Sequence, residues 1–131
     1  MGWQYSKTME TACVMAALDQ AVTTQRPPEG LILHSDRGSQ YTSHAYRHKL
    51  IQLGMQPSFS AKGCPYDNAP IESFHAILKK EFVYRTIIQS YETAKLSLFE
   101  SIEGRYHRNR IHSSLTYKTP QQMEDLLSVV A

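Results

Sequence analysis

The sequence predicts an α/β fold built on a small parallel or mixed sheet. Two segments, Leu31–His34, which opens on the apolar run Leu31-Ile32-Leu33, and Met55–Phe59, have the length of strands, and helical stripes of period 3.6 alternate with them. Gly, Pro and Ser clusters separate the two kinds of segment. Strand and helix in alternation imply a sheet whose ligands sit beyond the carboxyl ends of its strands. Asp36 stands at such an end, in the stretch HSDRGSQY.

Taken in order, GWQYS at positions 2–6 reads as a strand remnant. Thr8 caps a helix with Glu10 in its first turn and Met15, Leu18 and Val22 on one stripe, ended by Pro27-Pro28. Leu31–His34 reads as a buried strand. Ser43 opens a helix with Tyr46, Leu50 and Leu53 inward, and Gly54 stops it before the strand Met55–Phe59. SAKGCPY has no periodicity and reads as a mobile loop. Asp67 or Asn68 caps a helix with Ile71, Phe74, Leu78 and Phe82 as its core stripe and Glu72, His75 and Lys79 on a polar face. A further helix runs from Tyr91 to Tyr106 with Leu96, Phe99 and Ile102 inward, and Thr119-Pro120 opens a last short one. The division expected is a core piece over 1–106 and a basic tail with a short helix over 107–131.

With 131 residues, 41% of them hydrophobic, the chain has enough apolar material for one ordinary domain or a large piece of one. The longest apolar run, Ala12 to Leu18, is too short to cross a bilayer, and Glu10 and Asp19 around it are not the flanks of a signal peptide. An intracellular chain with no membrane partner is expected. Cys13 and Cys64 lack Cys-x-x-Cys spacing and read as free thiols. A net charge of +2 does not by itself announce a nucleic-acid partner, but the stretch GRYHRNRIHSSLTYK carries Arg105, Arg108, Arg110 and Lys118 with no acid. Tyr106 and Tyr117 sit among these cations. Two readings stand: a surface for phosphates and unstacked bases, or a solvated basic turn.

Asp36 also has two readings. Ser, Asp and Gly are turn residues, and Asp-Arg-Gly needs no chemistry to explain it. Against that, Glu72 enters from the first turns of a helix, 35 residues separate it from Asp36, and the intervening helix and strand give the chain a route out and back. Two converging carboxylates are what a hard divalent ion such as Mg²⁺ takes, together with phosphate oxygens and waters. Arg37 and Gln40, beside Asp36, either contact phosphate or pair with the sheet edge. His34 reads as a hydrogen-bonded histidine rather than a metal ligand. His44 and His48 share a helical face but lack the Glu of a His-Glu-x-x-His site, and read as surface residues.

HSDRGSQYTS, KGCPYDNAPIESFHAILKKE and RIHSSLTYKTP together resemble the motifs of bacterial insertion-element transposases of the Asp-Asp-Glu type, whose retroviral-integrase-like catalytic core has a ribonuclease H-like fold. The resemblance covers nearly the whole chain, from Gly2-Trp3 to the Thr119-Pro120 helix. It implies a partial ribonuclease H-like core, lacking the first two strands and followed by C-terminal helices. It assigns the family's second Asp to Asp36 and its Glu to Glu72, as catalytic and Mg²⁺- or Mn²⁺-binding residues, the ion being held only if the site is completed. It matches Lys79 to a lysine that faces the DNA end; Arg37 and the tail cations Arg105, Arg108, Arg110 and Lys118, read from their charge and position, complete the expected DNA-binding set. No segment matches the first Asp, and mid-helix Asp19 is no substitute.

The activity implied is DNA strand transfer by phosphoryl transfer, with element ends and target DNA as partners in a bacterial cytoplasm, at the nucleoid. A fragment short of one carboxylate is expected to be inactive alone. The alternative is a non-catalytic remnant that binds DNA, self-associates or joins an intact transposase; some other ribonuclease H-like nuclease is a third reading.

Overall fold

The structure is a computed structural model and describes residues 2–130. It divides into two compact units, one up to Glu72 and one from Ser73.

In the first unit, α1 (Thr11–Gln25) is followed by β1 (Ile32–Ser35), the single turn α2 (Ser39–Thr42), α3 (His44–Gln52) and β2 (Gln56–Phe59). The two strands pair in parallel, with Ile32 opposite Gln56 and Ser35 opposite Phe59. Leu18 of α1, Tyr46 and Leu50 of α3, and Met55 form the buried cluster, with Val14, Met15, Val22 and Leu33 packed around it. The stripes expected of both helices are therefore the ones that pack. Ser43 caps α3 as expected, its Oγ accepting the Tyr46 N–H. Gly54 follows with φ +67, and its N–H reaches the Ile51 carbonyl. A side chain there would be strained and would press on Glu29.

Three local expectations give way. Residues 2–6 form no strand; the Trp3 N–H instead reaches Gln20 Oε1 on α1 at 3.0 Å. A strand exists only as half of a ladder, and among the described residues this segment has none. Gly2 packs so closely on α1 that a Cβ would collide with the Ala17 carbonyl and Ala21. The segment Leu31–His34 is not buried: Ile32 is 64% exposed, because among the described residues β1 has one strand neighbour, and Pro57, which cannot donate to a ladder, suits β2 to an edge. Finally, α1 starts at Thr11 with Glu10 as its N-cap and no side-chain capping bond, while the Thr8 N–H bonds Ser6 Oγ.

Helix α4 (Ala69–Glu81) begins in the first unit and continues into the second. A 3₁₀ turn, Pro65–Asn68, precedes it. Asp67 is spent on the loop rather than on a cap, accepting the Ala61 N–H. In the second unit, a 3₁₀ turn (Val83–Arg85) leads to α5 (Tyr91–Phe99), capped by Ser90, whose Oγ accepts the Thr93 N–H. The helix then continues as a π-helix, Glu100–His107. The boundary expected after Tyr106 falls inside that helix. Ala94 and Ile102 are buried, whereas Leu96 and Phe99, expected inward, are 62% and 52% exposed. A π turn carries more residues than an α turn and breaks the 3.6 phase on which that expectation rested. Thr119 and Gln122 form a reciprocal capping box at the start of α6 (Pro120–Val130): the Gln122 N–H donates to Thr119 Oγ1, and the Thr119 N–H to Gln122 Oε1.

Candidate active site

Asp36 follows the last residue of β1, and its Oδ1 accepts the Gly38 N–H at 2.8 Å. This is an Asx turn, so the turn reading of HSDRGSQY is right as far as it goes. It leaves room for function. One carboxylate oxygen shapes the turn, and the other makes no hydrogen bond among the described residues. A Cβ at Gly38 would stand 3.0 Å from that Oδ1 and 2.9 Å from Gln40 Oε1, so the glycine keeps the turn tight.

The chain after β2 is laced to the same strand end. His34 places Nδ1 3.0 Å from Ser58 Oγ and Nε2 3.0 Å from Ser60 Oγ, the hydrogen-bonded role expected of it, although its side chain is exposed. Arg37 donates from Nε to the Ser60 carbonyl at 3.0 Å, the sheet-edge alternative, and Gln40 bonds the Met9 carbonyl. Farther along, Asp67 accepts the Ala61 N–H at 2.9 Å and the Cys64 thiol at 3.5 Å. These bonds, the backbone one foremost, hold its carboxyl below the usual carboxylate range. The loop is thereby tied to the start of α4, where Glu72 sits exposed in the first turn, at the end of the helix dipole that favours an acid.

Asp36 and Glu72 line one cleft of about 420 Å³ together with Arg37, Lys62, Cys64 and Asn68. Two carboxylates, an amide oxygen and open solvent suit a hard divalent ion in donor type. The set is short: among the described residues no third acid, His or Cys joins them in a group that could hold a metal. Asp36 also raises the pKa of Tyr41, after the larger effect of that phenol's burial. Lys62 lies in a loop without periodicity, and Asn68 reads from the sequence as a helix cap, so neither is marked there as a lining residue. Their signal was their place inside the KGCPYDN motif.

The tail cations are not equivalent. Arg105 and Arg108 are exposed, Arg110 is paired with Glu81 and half-buried, and Lys118 donates to Thr116 Oγ1 at 3.0 Å. Tyr106 packs edge-on between Phe74 and His112, with ring centroids 4.8 and 5.0 Å away, and its burial raises its pKa. Tyr117, by contrast, is 72% exposed. Lys79 is exposed in the last turn of α4, and His44 and His48 are exposed on α3. Both cysteines are free. No helix among the described residues is long and apolar enough to cross a membrane. Asp19 lies within α1 and pairs with Lys49 at 2.7 Å.

Two models of the integrase core domain match the sequence, over residues 1–65 and 53–120. The chain belongs to the integrase core domain family. It is similar to the transposase for insertion sequence element IS904 of Lactococcus lactis subsp. lactis (strain IL1403), with 42% identity over 124 residues, 95% of this chain and 49% of that protein. The transposase InsF for insertion sequence IS3A of Escherichia coli (strain K12) is 38% identical over 125 residues, 95% of this chain and 43% of that one. The chain thus spans less than half the length of these relatives.

Its fold is similar to the crystal structure of the catalytic core domain of BIV integrase, with a TM-score of 0.69 at 19% identity, covering 97% of this chain and 78% of that one. The HTLV-2 integrase catalytic core domain in complex with magnesium, in its trimeric form, gives a TM-score of 0.60 at 13% identity, covering 91% and 72%. The family and the partial ribonuclease H-like fold expected from the three motifs are both correct, and this integrase core is of the kind found in bacterial insertion-element transposases.

Proposed function

We propose that these residues are the carboxyl-terminal part of a transposase catalytic core that cleaves and joins DNA strands at the ends of an insertion element. The observation that supports this is the single cleft shared by Asp36 and Glu72. In this reading both are catalytic and would hold Mg²⁺ or Mn²⁺, which would stabilise charge on the attacking and leaving oxygens of a phosphodiester. Lys62 and Arg37 at the cleft, and Lys79, Arg105, Arg108 and Lys118 elsewhere, bind backbone phosphates and set register without reading sequence. Arg110, tied to Glu81, contributes least. The partners are element ends and target DNA, with self-association or an intact transposase completing the assembly in the bacterial cytoplasm, at the nucleoid.

The 131 residues carry two of the family's three carboxylates, and we infer that they do not turn over alone. Catalysis that depends on several ligands at once fails non-additively when one is missing. The test is to fuse the leading strands of a close relative, with their Asp, ahead of Gly2 and assay divalent-ion-dependent cleavage of element-end DNA. Activity in the fusion, lost on changing the added Asp to Asn or on Glu72→Gln, supports the reading. A folded fusion that binds end DNA and cleaves nothing sinks it in favour of a non-catalytic DNA-binding or oligomerising remnant. That second reading is favoured by the absence, among the described residues, of any group of three or more acids, histidines or cysteines that could hold a metal ion.

A further inference from the structure

The second unit holds a cleft of its own, of about 380 Å³, where the chain leaving α4 faces the junction of α5 with the π-helix. Arg85 and Arg105 line it, together with the hydroxyl-bearing residues Thr86, Ser97 and Ser101. Both guanidiniums are exposed, and among the described residues neither makes a salt bridge or a hydrogen bond. Of the two acids present, Glu81 is already neutralised by Arg110. Glu100 is exposed and has no ion pair among the described residues. Two unpaired guanidiniums with three hydroxyls make a donor-rich pocket, and a phosphate, with its several acceptor oxygens, matches such donors.

We propose that this cleft is an accessory site for a phosphate of a DNA backbone, separate from the two-carboxylate cleft. The proposal rests on the reading of the chain as DNA-binding, but it commits to different residues. It gives Arg105 a partner, Arg85, that lies outside the basic tail. It also gives Glu100 a definite role: its charge opposes an anion in the cleft, so it limits affinity there.

The test is binding of the full chain to a short DNA duplex across a range of salt concentrations, with inorganic phosphate as a second probe. Circular dichroism establishes that each variant is folded. The R85Q/R105Q variant should bind duplex about tenfold more weakly, with a salt slope smaller by about one for each backbone phosphate that it no longer neutralises. E100Q, which removes the opposing charge and no donor, should bind more tightly. Inorganic phosphate should shift backbone amide signals of Thr86 and Ser101, and excess duplex should displace it. Unchanged duplex affinity and slope in R85Q/R105Q would overturn the site while leaving DNA binding in place. Phosphate bound at the cleft by a chain that binds no duplex would overturn the DNA assignment and leave a site for free phosphate. No phosphate-induced shift at the cleft, with E100Q no tighter than the wild type, would overturn both.

Discussion

The segment up to Glu72 and the segment from Ser73 are buried in different ways. In the first, Leu18, Tyr46, Leu50 and Met55 meet as one apolar cluster, and the buried Ser35 and Ser60 are hydrogen-bonded to neighbouring chain. In the second, the buried set includes His107 and Thr119 beside Ala94 and Ile102, and three buried polar atoms lack a partner among the described residues: His107 Nδ1, Arg110 Nε and His112 Nε2. An unsatisfied buried polar group costs about 1–3 kcal/mol. The first segment is thus a scaffold that positions two carboxylates, while the second holds cations whose hydrogen-bonding capacity is only partly used. Charge is placed by packing in one and left available in the other.

The contrast breaks most readily at Leu50, which is 1% exposed. Leu50→Ala should destabilise the chain by about 2–5 kcal/mol in denaturant titration, by lost transfer energy and a cavity. Leu96→Ala, at a position 62% exposed, should stay within about 0.5 kcal/mol. Equal effects would mean that the first segment has no organising core.

A second probe of that core is confined to alkaline pH. Burial raises the Tyr46 phenol to about 12, with a smaller contribution from Tyr41. Between the ordinary tyrosine value of 10.0 and that figure, the unfolded chain has released a proton that the folded chain still holds. Stability contributed by neutral Tyr46 is therefore complete below pH 10 and is lost as pH rises through that window. Tyr46→Phe should flatten this limb of the stability profile. A limb of unchanged slope would place the titration elsewhere.

How much of this was legible follows from which signals are local. Ser43 as a cap, the inward Tyr46 and Leu50, and Pro120 opening α6 depend on neighbours within a turn or two, and sequence shows such neighbours directly. The absent ladder at residues 2–6 and the exposure of Ile32 depend on which strand lies alongside, which periodicity does not encode. The π-helix at Glu100–His107 defeated a 3.6-residue template, and so Leu96 and Phe99 were assigned inward. At the cleft, Asp36 and Glu72 stood out because motifs framed them, whereas Lys62, in an aperiodic loop, and Arg85, just past α4, did not.

In the second segment the sharpest local test is the capping box. Thr119 is 5% exposed, and its Oγ1 serves the Gln122 N–H. Thr119→Ala should lower stability by about 1 kcal/mol. Thr119→Ser, which keeps the oxygen, should recover most of it. Equal loss in both variants would point to the missing methyl group rather than the hydrogen bond.

The smallest effect expected returns to the first segment and the loop that shapes its cleft. Asp67 is fully exposed, so its removal disturbs no core; what it holds is the Ala61 N–H and the Cys64 thiol. Because the folded carboxyl sits below its ordinary 3.8, the bonds it accepts are in place above that value and are lost as pH falls through the lowered one. Asp67→Ala, which removes both acceptor oxygens, should therefore leave global unfolding nearly unchanged at neutral pH while speeding amide hydrogen exchange at Ala61 severalfold, a local opening rather than a global one. Lys62 and Cys64 line the cleft from this same loop, so under the proposed function the variant should also weaken binding of divalent ions or DNA there without touching Asp36 or Glu72. Unchanged exchange at Ala61 would mean that the loop is held by something other than Asp67. Faster exchange at Ala61 and equally at Leu50 would mean that loop and core open together, and the distinction between scaffold and charge-bearing loop would be lost.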